Sequence, residues 1–218
     1  QDPFEMLGNP QLAPEVNYQA DLTFKWQAAE KSVINVDVFA GYLQDYISSV
    51  IDPSLSPRLP MSPGVRQFIN IDEALKTGVE MSWKQQLLAG LSHRLGVAYT
   101  YGQDLERGEP LPEIAPLDVR YAIYGSYLKD RLRPEVVFRY VAEQARVSAE
   151  FGEMVTPSFS LLDVKIGSQL TSGLSINTGV NNLLDERYCE HLNRSVRGTN
   201  APIFAPGRNV FANLNYSF

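Results

Sequence analysis

The fold class predicted is all-β: an antiparallel transmembrane β-barrel wall of about nine strands. Three observations predict it. Apolar and polar residues alternate in stretches of about ten, the connections between the stretches are short and long by turns, and the last stretch is an alternating strand that ends on Phe218. Successive strand side chains point to opposite faces, so an apolar row backed by a polar one fits a wall with lipid outside and water inside. A soluble sandwich also alternates, but nothing in it requires two classes of loop.

The elements follow in order. Val16 to Trp26 is the clearest strand, with Val16, Tyr18, Ala20, Leu22, Phe24 and Trp26 at the even positions and polar residues between them. Further strands are predicted at Val33 to Tyr46, Leu75 to Lys84, Leu91 to Tyr101, Val119 to Leu128, Leu132 to Val141, Phe159 to Leu170, Leu174 to Asn182 and Arg208 to Phe218. The second and sixth are less cleanly two-faced. In the last, Val210, Ala212, Leu214, Tyr216 and Phe218 oppose Asn209, Asn213, Asn215 and Ser217. An aromatic carboxyl terminus resembles the signal read by the bacterial outer-membrane assembly machinery.

The connections at Gln27 to Ser32, Gln85 to Gly90, Lys129 to Arg131 and Thr171 to Gly173 are short, whereas Ile47 to Ala74, Gly102 to Asp118, Ala142 to Ser158 and Leu183 to Gly207 are long. Barrels of the bacterial outer membrane have short periplasmic turns and long extracellular loops, so this asymmetry orients the sheet without using hydrophobicity. The long stretches carry Pro53, Pro57, Pro60, Pro63, Pro110, Pro112, Pro116, Pro157, Pro202 and Pro206, which cannot donate to a ladder. No helix, linker or second domain is needed, and residues 1–218 are read as one segment of barrel.

Composition agrees and excludes alternatives. No run of about 18 apolar residues occurs, so no transmembrane helix is expected, and a mean hydropathy of -0.19 does not argue against barrel strands, which alternate. A net charge of -6 without basic clusters argues against nucleic acid. The single cysteine, Cys189, cannot form an internal disulfide. The 11 tyrosines and 10 phenylalanines suit aromatic girdles at the two membrane interfaces. Nine strands is an odd number, and single-chain bacterial barrels have even counts because an open edge in hydrocarbon leaves backbone groups unpaired. An incomplete barrel is therefore expected, completed by strands from elsewhere.

Four motifs carry a family resemblance. Asn9-Pro-Gln-Leu-Ala-Pro-Glu15 runs into the first strand, Gly78-Val-Glu80 lies in the third, Val180-Asn-Asn-Leu-Leu-Asp-Glu-Arg-Tyr188 leaves the eighth, and Pro206-Gly-Arg208 opens the last. In this order and spacing they resemble the carboxyl-terminal part of the barrel of TonB-dependent outer-membrane receptors. Pro157-Ser158-Phe159 departs from that family's frequent Pro-Gly-aromatic, and Cys189 stands where an aromatic is frequent. The resemblance implies a 22-stranded barrel in a Gram-negative outer membrane, plugged by an amino-terminal domain, importing a scarce metal chelate, cobalamin or sugar with energy from TonB. An iron chelate is the expected ligand because it is common in the family. The implied partners are the rest of the barrel, the plug, TonB through an amino-terminal box, the ligand and lipid. A small independent outer-membrane barrel, enzyme or adhesin, is the alternative, and a soluble β-sandwich binding module a remoter one.

Most candidate site residues come from the long connections. Arg194 and Arg197 of the final one are candidate contacts for an anionic chelate, since a guanidinium binds carboxylate-like groups in bidentate fashion; Tyr188 of the same connection and Arg139, which has the parity of the lumenal face in the sixth strand, are further candidate substrate contacts. Arg208 falls within the Pro-Gly-Arg pattern and is read as structural. Cys189 and His191 flank Glu190 and are candidate metal ligands, although one Cys-x-His without a second pair favours no metal site. His93 is placed on the outward row near the periplasmic interface, and Met81 likewise faces outward. Lys25, Asp21, Asp37, Glu80, Lys84, Arg94, Glu135, Asp163 and Lys165 have the parity of the lumenal face. The 102–118 connection sets five carboxylates, Asp104 to Asp118, against Arg107 alone. No nucleophile elbow, phosphate loop or zinc-protease motif occurs, so no catalytic residue, enzyme activity or cofactor is expected.

Overall fold

The structure, a computed structural model, describes residues 4–193, 195–196 and 201–217. Its strands in chain order are β1 (Glu5–Leu7), β2 (Val16–Ala29), β3 (Ser32–Ile51), β4 (Val65–Leu88), β5 (Leu91–Asp104), β6 (Asp118–Gly125), β7 (Leu132–Val141), β8 (Phe159–Gln169), β9 (Leu174–Asn181), β10 (Ser195–Val196), β11 (Ala201–Pro202) and β12 (Asn209–Tyr216). One sheet runs β2-β3-β4-β5-β6-β7-β8-β9-β12, every neighbour antiparallel; β1 lies parallel to β4, and β10 pairs with β11 within the final loop. All nine predicted strands are present.

Register turns the alternation into two faces. Trp26, Ile34, Trp83, Leu95, Tyr121, Phe138 and Leu162 stand opposite one another from strand to strand, and Phe24, Val36, Met81, Val97, Val119 and Tyr140 form the next row. Because side chains alternate strictly, the intervening rows belong to the other face. There Asp37 meets Glu80, Arg94 meets Ala122, Val137 meets Asp163, and Glu135 meets Lys165. Leu22, Phe24 and Trp26 are 71%, 56% and 53% exposed, and Val210, Leu214 and Tyr216 of β12 are 72%, 67% and 71% exposed. Apolar rows so open to the surroundings suit contact with lipid tails.

The sheet does not close. Among the described residues β2 pairs only with β3 and β12 only with β9, leaving two open edges. The short connections fall at one end, two residues each at Glu30-Lys31 and at Ala89-Gly90, where Gly90 has φ +75°. The turn between β6 and β7 is longer than expected. Leu128, Lys129 and Asp130 all adopt positive φ, and the ring of Tyr127 occupies the space where a Cβ on Gly125 would lie, so β6 ends at Gly125 rather than near Leu128.

The largest departure is at the other end. The expected connection from Ile47 to Ala74 is mostly ladder: Tyr46 to Ile51 pair with Ile71 to Arg66, and the true loop is 52–64. Alternation fails to reveal this because it slips. Asp45 takes φ +53°, and odd-numbered Ile71 then shares one buried cluster with even-numbered Ala74, together with Leu43, Leu111 and Ile114. The 105–117 loop folds back to supply Leu111, which is 1% exposed, and Ile114; both close over Gly102, where a Cβ would meet Ile114 at 2.7 Å. This is the core of the rim. His93 keeps the outward parity and is 3% exposed, its ring packed edge-on to Trp83 at 4.5 Å and tilted against Tyr121 at 5.6 Å.

Candidate functional site

The four motifs are hydrogen-bonding devices that shape the rim. Asn9 donates from Nδ2 to the Phe68 carbonyl at 3.2 Å and accepts from the Gln11 amide at 2.9 Å. Asn70 answers from β4, accepting from the Ala13 amide at 2.8 Å and donating to the Ala13 and Asp45 carbonyls at 3.1 and 2.6 Å. Glu15 accepts from the Ile47 amide at 3.2 Å, so the segment before β2 is strapped to β3 and β4. Gly78 is explained by the ring of Phe39, which would lie 2.5 Å from any Cβ there.

The two carboxyl-terminal motifs are one structure. Asn182, 3% exposed with φ +50°, accepts from the Glu186 amide and donates to the Glu186 carbonyl, both at 2.8 Å, and its own amide donates to Asp163 at 2.8 Å. Asp185 accepts from the Arg208 amide at 2.8 Å, and Arg208 Nε donates to the Leu183 carbonyl at 2.9 Å. A Cβ at Gly207 would lie 2.9 Å from Asp185 Oδ1, so the glycine permits that approach. The stem of the final loop is thus locked by its own first and last residues.

Between this stem and the wall sits Arg139. Its guanidinium donates to Asp118 on β6, from Nη2 at 2.8 Å and Nε at 3.0 Å, and to Glu190 of the final loop, from Nη1 at 2.5 Å and Nη2 at 3.1 Å. Such bidentate pairs are strong and directional. Arg139, a candidate ligand contact, thus already holds two carboxylates and ties the final loop to β6 and β7. Tyr188 is likewise engaged, its ring tilted on Phe159 with centroids 4.5 Å apart and its carbonyl accepting from the Ala205 amide at 2.9 Å. Below this clamp a concavity of about 760 Å³ on the polar face is lined by Arg94, Arg120, Glu135, Asp163, Lys165 and Asn181, among others.

His191 and Cys189 are brought to the same loop but not into a metal cage. His191 Nδ1 lies 2.9 Å from Thr156 Oγ1 and Nε2 lies 3.5 Å from Glu153 Oε1, while Cys189 is a half-buried free thiol whose pKa is raised by burial and by Glu190. No three His, Cys, Asp or Glu side chains among the described residues stand close enough to hold a metal ion. Glu153 is the residue that sequence reasoning missed. Its carboxylate accepts from the Glu113 amide at 2.6 Å and the Ser148 amide at 2.9 Å, so with His191 it joins three long loops. Burial opposes its ionisation, but the contact with His191 and these two amides hold its pKa below the usual value. No spacing marks it, because its partners in the other two loops, Glu113 and His191, lie 40 residues before and 38 after it in the chain. Arg194 and Arg197 lie outside the described residues.

Comparison with known proteins places this architecture. Residues 1–183 match the family model described as TonB dependent receptor-like, beta-barrel, and the chain belongs to that family of Gram-negative outer-membrane barrels. It is 24% identical over 198 residues to the iron-regulated outer membrane virulence protein of Vibrio cholerae, covering 85% of this chain and 30% of that one. It is also 24% identical over 232 residues to heme/hemopexin utilization protein C of Haemophilus influenzae, covering 97% and 31%. Among solved structures, the copper transporter OprC superposes with a TM-score of 0.84 at 22% identity, covering 97% of this chain and 34% of that one, which shows the shared fold. The chain spans about a third of the length of the relatives it matches.

Proposed function

We propose that this chain is part of an active outer-membrane importer that captures a scarce nutrient, an iron-siderophore or related metal chelate, and is energised by TonB. One observation carries the reading: a wall with continuous apolar rows on one face and charged rows on the other, joined to long, internally braced loops at one end only. Relatives named for iron regulation and for heme utilization support the substrate class. In this reading residues 1–218 supply nine strands and four extracellular loops, and the rest of the barrel and a plug domain complete the receptor at the edges of β2 and β12. Ligand contact falls to the long loops, with Arg194 and Arg197 of the last as candidate contacts and Arg139 and Tyr188 as its anchor.

The test is uptake by the full receptor of a radiolabelled ferric chelate in cells with and without TonB. Import that depends on TonB and falls on deletion of Ser195 to Ala201, but not on changes at Glu30 and Lys31, is the expected result. Import unaffected by loss of TonB overturns the energised reading; equal loss from both changes at unchanged folded yield overturns the assignment of the loops.

A further inference from the structure

The outer face of β5 carries a cation at a defined depth. Its outward row continues from Leu95 and Val97 to Tyr99 and Tyr101, which pair across to Val79 and Thr77. The climb from Leu91 to Tyr101 is about ten residues at about 3.4 Å each on a strand tilted by roughly 40°, a rise of about 25 Å, which is the height of the apolar band of such barrels. Leu91 follows the periplasmic turn at Ala89-Gly90, so Tyr101 reaches the extracellular interface, where aromatic rings meet headgroups. The guanidinium of Arg146, from the 142–158 loop, lies over the ring of that tyrosine, 3.9 Å from its centroid. A positive charge is thereby fixed on the lipid side of the wall, where the membrane turns from hydrocarbon to headgroup.

That charge is not spent on a carboxylate. Arg94, Arg107, Arg120 and Arg139 each pair with one, whereas among the described residues none lies within ion-pair distance of Arg146. Its Nη2 donates to Gln103 Oε1 at 2.6 Å and, at 3.4 Å, to the Gly102 carbonyl, both neutral acceptors. Gln103 in turn accepts from the Tyr101 hydroxyl at 3.1 Å. Stacking and one side-chain amide therefore fix the plane of the guanidinium, while its Nε and Nη1 donors remain to be offered in the forked geometry that suits a phosphate. Beside it lies a cavity of about 180 Å³, lined among others by Tyr99, Pro110, Ile114, Pro116 and Ala145, a headgroup's size rather than a whole lipid's. We infer that Arg146 and this cleft form a site for the phosphate of an outer-leaflet lipid, the guanidinium holding the phosphate and the cleft the group it esterifies. The site rests on the chain's place in the outer membrane and not on which nutrient the receptor imports.

The experiment titrates the full receptor in detergent with two probes, bisphosphoryl lipid A and the same lipid dephosphorylated, followed by native mass spectrometry. Arg146→Gln is expected to weaken the phosphorylated lipid about tenfold, the scale of one charge-assisted hydrogen bond, and to leave the dephosphorylated one unchanged. Arg146→Lys, which keeps the charge without the fork, is expected to weaken it less. Independently of any variant, the phosphorylated lipid and not the dephosphorylated one is expected to slow hydrogen exchange at the amides of Arg146 and Val147 in the wild-type receptor. Binding of the phosphorylated lipid that Arg146→Gln does not alter, or exchange at these amides that the lipid does not slow, overturns the site. Equal slowing by inorganic phosphate alone assigns the cleft to the free ion and overturns the lipid. In each case the importer reading stands, because uptake of a ferric chelate tests it separately.

Discussion

The wall and the rim of this molecule are built on different principles. In the wall, β2 is exposed along its whole length and still has a defined place, because strand pairing and the side on which each residue falls are sufficient to specify it. In the rim, Leu111, Ala74 and Leu43 are buried to 1%, 0% and 5%, and order depends on single side chains reaching single backbone groups: Asn70, Glu153, Asn182 and Asp185. The wall is a periodic solution whose solvent is the bilayer; the rim is a small packed protein set on top of it. Substitutions in the wall should therefore be read by parity, and substitutions in the rim by the partner they remove.

The largest expected effect tests parity. Leu214→Arg places a guanidinium on the apolar face of β12, where such a charge costs roughly 2 to 4 kcal/mol at the bilayer midplane and less towards an interface. Asn213→Arg, on the opposite face, is expected to cost much less. The two positions pair with Ile176 and Asn177 on the same neighbour, so strand propensity and distance from the terminus are shared and only the direction differs. Folding of both full-receptor variants into bilayers measures it, and a greater loss for Asn213→Arg would mean that the faces are assigned the wrong way round.

A smaller effect tests the rim. Asn182→Ala removes two hydrogen bonds to Glu186 and puts alanine at φ +50°, together about 1 to 3 kcal/mol. Asn182→Gly loses the same bonds without the backbone penalty, so the difference between the two variants isolates the turn. Denaturation of the full receptor should rank wild type above glycine above alanine; alanine equal to wild type would show that the stem of the final loop is not held by this residue.

This contrast also explains what the sequence made legible. Two-residue alternation is a property of each strand alone, so all nine strands could be located from Val16, Leu22, Trp26 and their counterparts without any knowledge of neighbours, though not the bounds of every connection. The alternation is blind where the backbone departs from it. Asp45, with its positive φ, shifts the parity of Tyr46 to Ile51 and hides a stretch of paired β3 and β4 inside an apparent loop. The site was legible only as a neighbourhood. Tyr188, Cys189 and His191 do gather in one loop, but whether Arg139 is free or occupied depends on Asp118 and Glu190, and the clasp depends on Glu153, all brought together by tertiary contacts that leave no spacing to read. The motif residues are conspicuous in sequence because turns need particular side chains, and they turn out to brace loops.

The smallest expected effect concerns the clasp and depends on pH. Glu153 has its pKa lowered in the folded protein, burial being outweighed by His191 and the two amides, so its ionised form is stabilised by folding. A carboxylate of this kind contributes fully above the usual glutamate value of about 4.3 and loses its contribution as pH falls through the lower folded value. On acidification below the usual glutamate value the bonds to Ser148 and Glu113 should therefore weaken, by about 1 kcal/mol, while β5 and β7, held by backbone-to-backbone ladders, keep their protection. Hydrogen exchange of the full receptor, corrected for the intrinsic pH dependence of exchange, reads both regions in one measurement. Loss of protection at Ser148 and Glu113 on acidification, absent in Glu153→Gln because that variant is already weakened at neutral pH, is the expected pattern. Equal loss in β5 and β7 would show that rim and wall open together, and the division between them would fail.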